Sequence, residues 1–570
     1  MRPGILLLLL VFTSCSTQPS DTLAKFVDDY FTASFQASPS LATATGIHDY
    51  DAQIEDLSET AVKKRIAVLE TQQSRLDAIV RSQKLNTEEA IDAELLKSQI
   101  LAELHETKTL ESWRKNPMGY VGAAGGAIDL LMKRSFAPAK DRLKLVSARL
   151  RGVPAMIAAM KANVQNPPRE FTDLSIRIAS GSVGFFRDTV AAWAKDAAAG
   201  DEALLAEFKT ANDAAAKSFE DAAVWLKQDL LLRSKGSFAI GAVAFSQKLL
   251  YEEMVDIPLD KLLAIGEANL AKDYASFVAT AKQIDPNKKP AEVMNLLEAD
   301  HPSAADLIPS AKTTIARIRQ FLVDKKIIAL PSDVLPHIEE TPPYARNGGF
   351  ASMDTPGAYE TKANEAFYYI TPPEKDWPAT QTLEHLRLFN KSVMDVVTVH
   401  EAYPGHYTQF LYAKQYPTKT RKILGASSNA EGWAHYSEQM MIEQGFGDGD
   451  PKIKLAQLHE ALLRDCRYVA GIKLHTQGMS VDDAAKIFEE RGMQQHANAY
   501  EEARRGAYNP TYLYYTLGKL MIYKLRGDLQ TAKGAAFDLQ AFHNDFVKQG
   551  AIPIKLMRRI LLPGDTAPAL

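Results

Sequence analysis

Apolar residues recur every three or four positions through residues 20–110, 143–164, 201–232 and 259–284, in text dominated by Ala, Leu, Glu and Lys. That spacing follows the 3.6-residue turn, so each segment carries one apolar stripe and reads as an amphipathic helix. Such stripes are buried only against one another, which commits the chain to a mainly α, multi-helix body. Asn116-Pro117 and Pro167-Pro168 punctuate the run, and no internal repeat divides it. With 570 residues, 46% of them hydrophobic, the chain can bury a large core.

The texture changes once. Between residues 330 and 373 Pro, Gly, Tyr and Thr predominate, and Ala366-Phe367-Tyr368-Tyr369-Ile370 reads as a short strand. A small β-sheet is expected here, with an exposed strand edge able to hold an extended peptide and Tyr369 as a substrate contact. After Glu384 the helical pattern resumes to the end. The expected organisation is a scaffold lobe of helices over 25–330 and a catalytic lobe with a deep cleft over 331–570.

Sixty-six Lys and Arg against 70 Asp and Glu leave a net charge of −4, with no long basic run. Nucleic acid is therefore not an expected partner, and the folded surface has no charge with which to cling to anionic lipid. The N-terminus differs. Arg2 precedes an apolar run over residues 5–12, then Thr13, Ser14 and Cys15. The run is too short for a membrane span of about 20 residues and reads as an export signal. It resembles a bacterial lipoprotein signal, although Phe12 stands where Leu is usual. The resemblance implies removal of residues 1–14, lipidation of Cys15, a tether over 15–24 and residence on the periplasmic face of the envelope. Cleavage beyond Cys15 would instead give a soluble periplasmic protein. Cys466 is the only other cysteine, so lipidation leaves no disulfide.

The segment with chemistry in it is His400-Glu401-Ala402-Tyr403-Pro404-Gly405-His406. In the ordinary His-Glu-x-x-His helix, histidines four apart share a face and reach one zinc ion while the Glu serves as general base. Here they are six apart, which on a straight helix turns them away from each other. Pro404 has no N–H and its ring crowds the carbonyl four residues back, while Gly405 admits backbone angles others avoid. A bulge at this step is expected to return His406 to the face of His400. The third ligand should come from a following helix, and Glu431 in Glu431-Gly432-Trp433-Ala434-His435-Tyr436-Ser437-Glu438 is the choice. His435 and Glu438, on the same helix face, are placed to orient ligands. Two imidazoles and one carboxylate leave a fourth position open, as a catalytic zinc requires.

These residues, with Arg467, His475, Glu502-x-x-Arg505, Pro510 and Tyr515-x-x-Gly518, resemble the bacterial family known as domain of unknown function 885. Weaker similarity at Ser38-Pro39, Gly46-Ile47-His48-Asp49 and Gly241 extends it over residues 22–570. Where this chain has Pro510-Thr511-Tyr512 the family commonly has Pro-Gly-Gln, which leaves the roles of Tyr512, Tyr514 and Tyr515 open. The resemblance implies a helical body similar to zinc metallopeptidases, one zinc ion, and hydrolysis of short peptides or related amides. Glu401 would take the proton of the attacking water and pass it to the leaving amine. Tyr515 or His475 would stabilise the oxyanion, and Arg467 or Arg505 would hold a substrate carboxylate.

Plainer readings stand beside these. The tyrosines could be core aromatics, His435 and Glu438 a buried bridge, and the arginines could be locked to Glu501 or Glu502. The whole protein could be a non-catalytic zinc- or peptide-binding lipoprotein, or a zinc amidase or esterase.

Overall fold

The computed structural model describes residues 22–341, 351–374, 377–565 and 567–570. The export segment and Cys15 lie outside them. The described chain is mainly helical with one small sheet, and no described helix is long and apolar enough to cross a membrane.

Local signals set the helix ends. Asn86 and Glu89 cap each other's backbone at the start of Thr87–Leu104, and Asp201 accepts the N–H of Leu204 at the start of Glu202–Trp225. The periodic stretch 143–164 is two helices, Ala139–Leu150 and Val153–Asn163. Gly152 turns between them so close to Ile54 that any side chain would strike it, and Pro154 then suits the first turn of the next helix.

The helices pack around three apolar cores. Leu23–Ala37, Pro39–Thr45, Glu59–Ser82 and Thr87–Leu104 enclose Phe26, Phe31, Leu69 and Leu96. The helices between Met118–Met132 and Glu202–Trp225 enclose Val121, Leu150, Phe186 and Phe219. The third and largest core begins at Ile91 and Leu95, takes in Ala242–Glu253, Leu259–Ile284 and Leu307–Lys325, and runs on to the C-terminal helices. The two expected lobes read as one continuous domain over about residues 22–570, and across residue 330 Ile315 and Leu322 share a core with Val396 and Trp433.

The sheet has strands β1 (His337–Glu340), β2 (Ala351–Asp354) and β3 (Phe367–Ile370), in the order β1-β3-β2. β3 runs parallel to β1 and antiparallel to β2, with Tyr368 opposite both Ile338 and Met353. The strand read from the sequence is thus the central one, paired on both sides, and any edge for a peptide belongs to β1 or β2. The outer strands carry the edges, and β2 is the one that packs on the helix Lys391–Glu401. Tyr369 is corrected with it. Side chains alternate along a strand, so Tyr368, fully buried, reaches Thr398 of that helix at 3.2 Å, while Tyr369 takes the opposite face. There it stacks on Phe367, near Arg134 and Asp354.

The helix Lys391–Glu401, the histidine helix, is buried at every position from Val393 to His400. It is enclosed by the sheet, Leu307–Lys325, Ser427–Glu443 and Pro451–Thr476, which explains a near-continuous apolar run with no polar face. Its one acid within that run, Asp395, is paired with Arg317, and burial still pushes its carboxyl up to about 6.

Candidate metal centre

Asn390 starts the histidine helix by accepting the N–H of Val393 at 3.0 Å, and the helix stops at Glu401. The expected bulge inside a continuous helix is replaced by a break and a restart. Residues 402–405 leave the axis, the Tyr403–Pro404 peptide is cis, and a second helix, His406–Leu411, begins at the histidine. Pro404 cannot donate to the turn behind it, and Gly405 donates to Val399 O at 3.1 Å instead. To do so Gly405 presses onto the His400 carbonyl, where a Cβ would collide. Trp433 Nε1 donates to Pro404 O at 2.8 Å and fastens the loop. A restarted helix frees His406 from the 3.6-residue period, and its ring lies 4.9 Å from that of His400, nearly perpendicular.

Glu431 comes from Ser427–Glu443, the glutamate helix. Its Oε2 lies 3.5 Å from His400 Nε2 and 3.3 Å from His406 Nε2. The three donor atoms fall within 4.8 Å of one another, so this group could hold a metal ion. The donor set fits that use: His406 Nδ1 is buried without a hydrogen-bond partner, and both Nε2 atoms converge on the carboxylate. Burial resists charge on His400, but the Glu431 and Glu438 carboxylates prevail and push it up to about 9. Burial likewise resists charge on Glu431, and the two imidazoles hold it well below its ordinary value. A bound cation would take the place of the Nε2 proton.

Behind His400 stands a buried brace. Glu438, its side chain fully buried, accepts His400 Nδ1–H at 2.7 Å on one oxygen and His435 Nδ1–H at 3.1 Å on the other. Arg464, on Pro451–Thr476, sits 3.4 Å from Glu438. With Nδ1 fixed as the donor, the Nε2 lone pair is aimed at the metal point. Burial lowers His435 to about 3, so it stays neutral. Both His435 and Glu438 thus lie outside the three-donor group. Glu401 follows His400 directly and, among the described residues, is in no ion pair; burial raises its pKa, partly offset by the two imidazoles.

The other predicted residues part ways. The Tyr515 ring lies under Arg467 and Arg464 at 5.2 and 5.7 Å, and its hydroxyl accepts from Arg505 at 3.3 Å. Arg467 gives both arms of its fork to Glu502 at 2.7 and 2.8 Å, so a substrate carboxylate would have to displace that partner. Arg505 keeps donors to spare. His475 lies eleven residues beyond Arg464 on the same helix, roughly 16 Å along its axis at about 1.5 Å per residue. It packs between Phe238 and Phe245 and donates Nε2–H to Gly506 O at 2.8 Å, so it is not an oxyanion donor at this centre. Tyr512 is a core aromatic whose hydroxyl fills the space that a side chain at Gly506 would need.

Sequence reasoning passed over one residue here and left the role of another open. Arg464, which neutralises Glu438, is three residues before Arg467 on one helix, and that spacing was the available signal. Tyr514 is the second. Its hydroxyl accepts from Asn509 at 3.2 Å, and burial pushes it up to about 12 with a contribution from the nearby Glu431 carboxylate. The motif glycines also gain a reason: Gly432 and Gly518 meet backbone to backbone where the glutamate helix crosses Tyr514–Lys533.

The family model described as "Bacterial protein of unknown function (DUF885)" matches residues 39–561. The chain belongs to the DUF885 family. A comparison with curated proteins found no match. Among solved structures, this DUF885 chain is similar to a protein from Shewanella oneidensis described as a candidate lipoprotein of unknown function. The two are 26% identical with a TM-score of 0.79, over 95% of this chain and 100% of that one. It also shares its fold with a candidate lipoprotein from Colwellia psychrerythraea at 17% identity and a TM-score of 0.80, over 95% and 98% of the two chains.

Proposed function

We propose that this DUF885 protein is a zinc-dependent hydrolase that cleaves peptide bonds in short peptides. The observation that carries the reading is the convergence of His400, His406 and Glu431 on one point with Glu401 beside them. Two imidazoles and a carboxylate are the donor set of a catalytic zinc, which when bound polarises water and the substrate carbonyl.

The chain's own residues supply the rest. Glu401 is in no ion pair among the described residues, and burial raises its proton affinity, so it can accept a proton from the attacking water and release it to the leaving amine. Glu438 and Arg464 keep His400 in one tautomer and one orientation. Tyr514 and Tyr515 are both candidates to donate to the oxyanion, since each hydroxyl accepts one hydrogen bond, from Asn509 and Arg505 respectively, and keeps its own O–H to give. β2, an outer strand of the sheet among the described residues, packs on the histidine helix and could offer its edge for backbone pairing to an extended peptide.

The signal-like N-terminus and the two solved relatives, each described as a candidate lipoprotein, support export and attachment through Cys15 at the periplasmic face of the envelope. Glu401→Gln tests the catalytic reading. It is expected to keep stoichiometric zinc while turnover of a mixed short-peptide library falls by roughly 10²–10⁴-fold. Equal turnover by the variant would remove Glu401 from the mechanism. Zinc without cleavage in the wild type would point to a binding protein.

A further inference from the structure

A cavity of 650 Å³ is walled by both halves of the chain and reaches the start of the glutamate helix at Ser427. That volume suits a small ligand. Two of its lining residues tie it to the centre. Ser427 is one turn before Glu431 on the same face of the glutamate helix, and Tyr514, which begins the helix Tyr514–Lys533 packed against it, forms another part of the wall. A peptide lying across the three-donor point therefore has this cavity as the space for one of its ends.

The charge of the wall says which end. Glu106, Glu252 and Glu253 line it, against Lys248 and Lys115. Lys248 is shared by Glu106 at 3.2 Å and Glu252 at 2.5 Å, and Lys115 gives its ammonium to Leu110 O at 2.8 Å. Glu253, only 2% exposed, accepts the N–H of Ser428. His475, 1% exposed, also lines the cavity, and its Nδ1 has no hydrogen-bond partner. Among the described residues no arginine lines it. A carboxylate entering here would meet an excess of acid and no planar fork, whereas an ammonium would meet carboxylates, hydroxyls and an unpaired ring nitrogen.

We infer that this cavity receives the free N-terminal ammonium of the peptide, so that the enzyme acts from the amino end of short peptides. The inference rests on the peptidase reading and names the substrate feature which that site selects. Glu252 and Glu106 share the single ammonium of Lys248, so the two carboxylates together have acceptor capacity left for a second ammonium, which would compete with Lys248 at Glu252.

The zinc-loaded full chain is given tetra-alanine with a free N-terminus and the same peptide acetylated. The free peptide is expected to be cleaved at least about tenfold better in kcat/KM. Glu252→Gln and Glu106→Gln should each narrow that ratio, with the change in KM for the free peptide. Thermal melts report whether either variant has failed to fold; if Glu252→Gln has, Glu106→Gln carries the test. Equal or better cleavage of the acetylated peptide overturns the inference and leaves the peptidase reading standing. If neither peptide is cleaved, the peptidase reading falls, and calorimetry decides the cavity's preference. Binding of alanyl-alanine amide over acetyl-alanyl-alanine supports a cation site, and the reverse order or equal binding overturns it.

Discussion

At the residue scale, the centre depends on side chains that never touch the metal point. Glu438 holds His400 by a charge-assisted bond at 2.7 Å, and Arg464 and His435 keep Glu438 in place. Glu438→Gln is expected to lower zinc affinity by about 10–100-fold, read by competition with a chelator, with the helical circular dichroism intact. An unaltered affinity would mean that His400 needs no brace. A second buried imidazole governs acid stability. His543 accepts from Tyr436 and donates to Ile327 O, and burial lowers it to about 4. Its folded value lies below the ordinary 6.5, so the unfolded chain binds the proton more readily. Its contribution is complete above pH 6.5 and is lost as pH falls toward 4, by on the order of 3 kcal/mol. Urea midpoints between pH 7 and 4.5 should fall less steeply in His543→Gln than in the wild type. The ligand types were legible in the sequence because donor chemistry is a property of single residues. Arg464 was not, and Tyr514 could not be told from Tyr512 and Tyr515, since an arginine or tyrosine acquires a role only from what is folded beside it.

At the element scale, the anomalous spacing of the histidines is resolved by ending one helix and starting another. The sequence pointed to the right cause, Pro404 and Gly405, and to the wrong remedy. A bulge preserves the helix axis, whereas the observed loop abandons it and is pinned from outside by Trp433. That donor is 29 residues away, beyond the reach of a local reading. The crossing of the glutamate helix with Tyr514–Lys533 is the second device, since it sets the depth at which Glu431 stands. Gly518 has the backbone of Ser428 against it where a Cβ would be. Gly518→Ala should therefore push the helices apart, lowering stability by about 1–3 kcal/mol and weakening zinc binding together. A melt unchanged from the wild type would show that the crossing has slack. The strand was visible in its alternation, but its position in the sheet was not, because order depends on partners that the strand itself does not encode.

At the scale of the whole molecule, the centre is suspended in a core that ignores the apparent division of the chain. Residues of 242–330 pack directly against the helices that carry His400 and Glu431, and Glu253 from that region accepts the N–H of Ser428 at the start of the glutamate helix. A fragment of residues 331–570 is expected to lack cooperative unfolding and to bind zinc weakly, whereas one beginning near residue 242 should retain more of both. Sharp melting of the shorter fragment would show that the catalytic half folds alone. The mainly helical class and the residue types of the three-donor group are properties of period and local chemistry, and a linear text determines those by itself. The helix break that orients His406, the central place of β3, the occupation of Arg467 by Glu502, the removal of His475 from the metal point and the acidic cavity beside Tyr514 were decided only by the tertiary structure. Each of them is a distance between residues far apart in the chain, and such distances exist only once a shared core has formed.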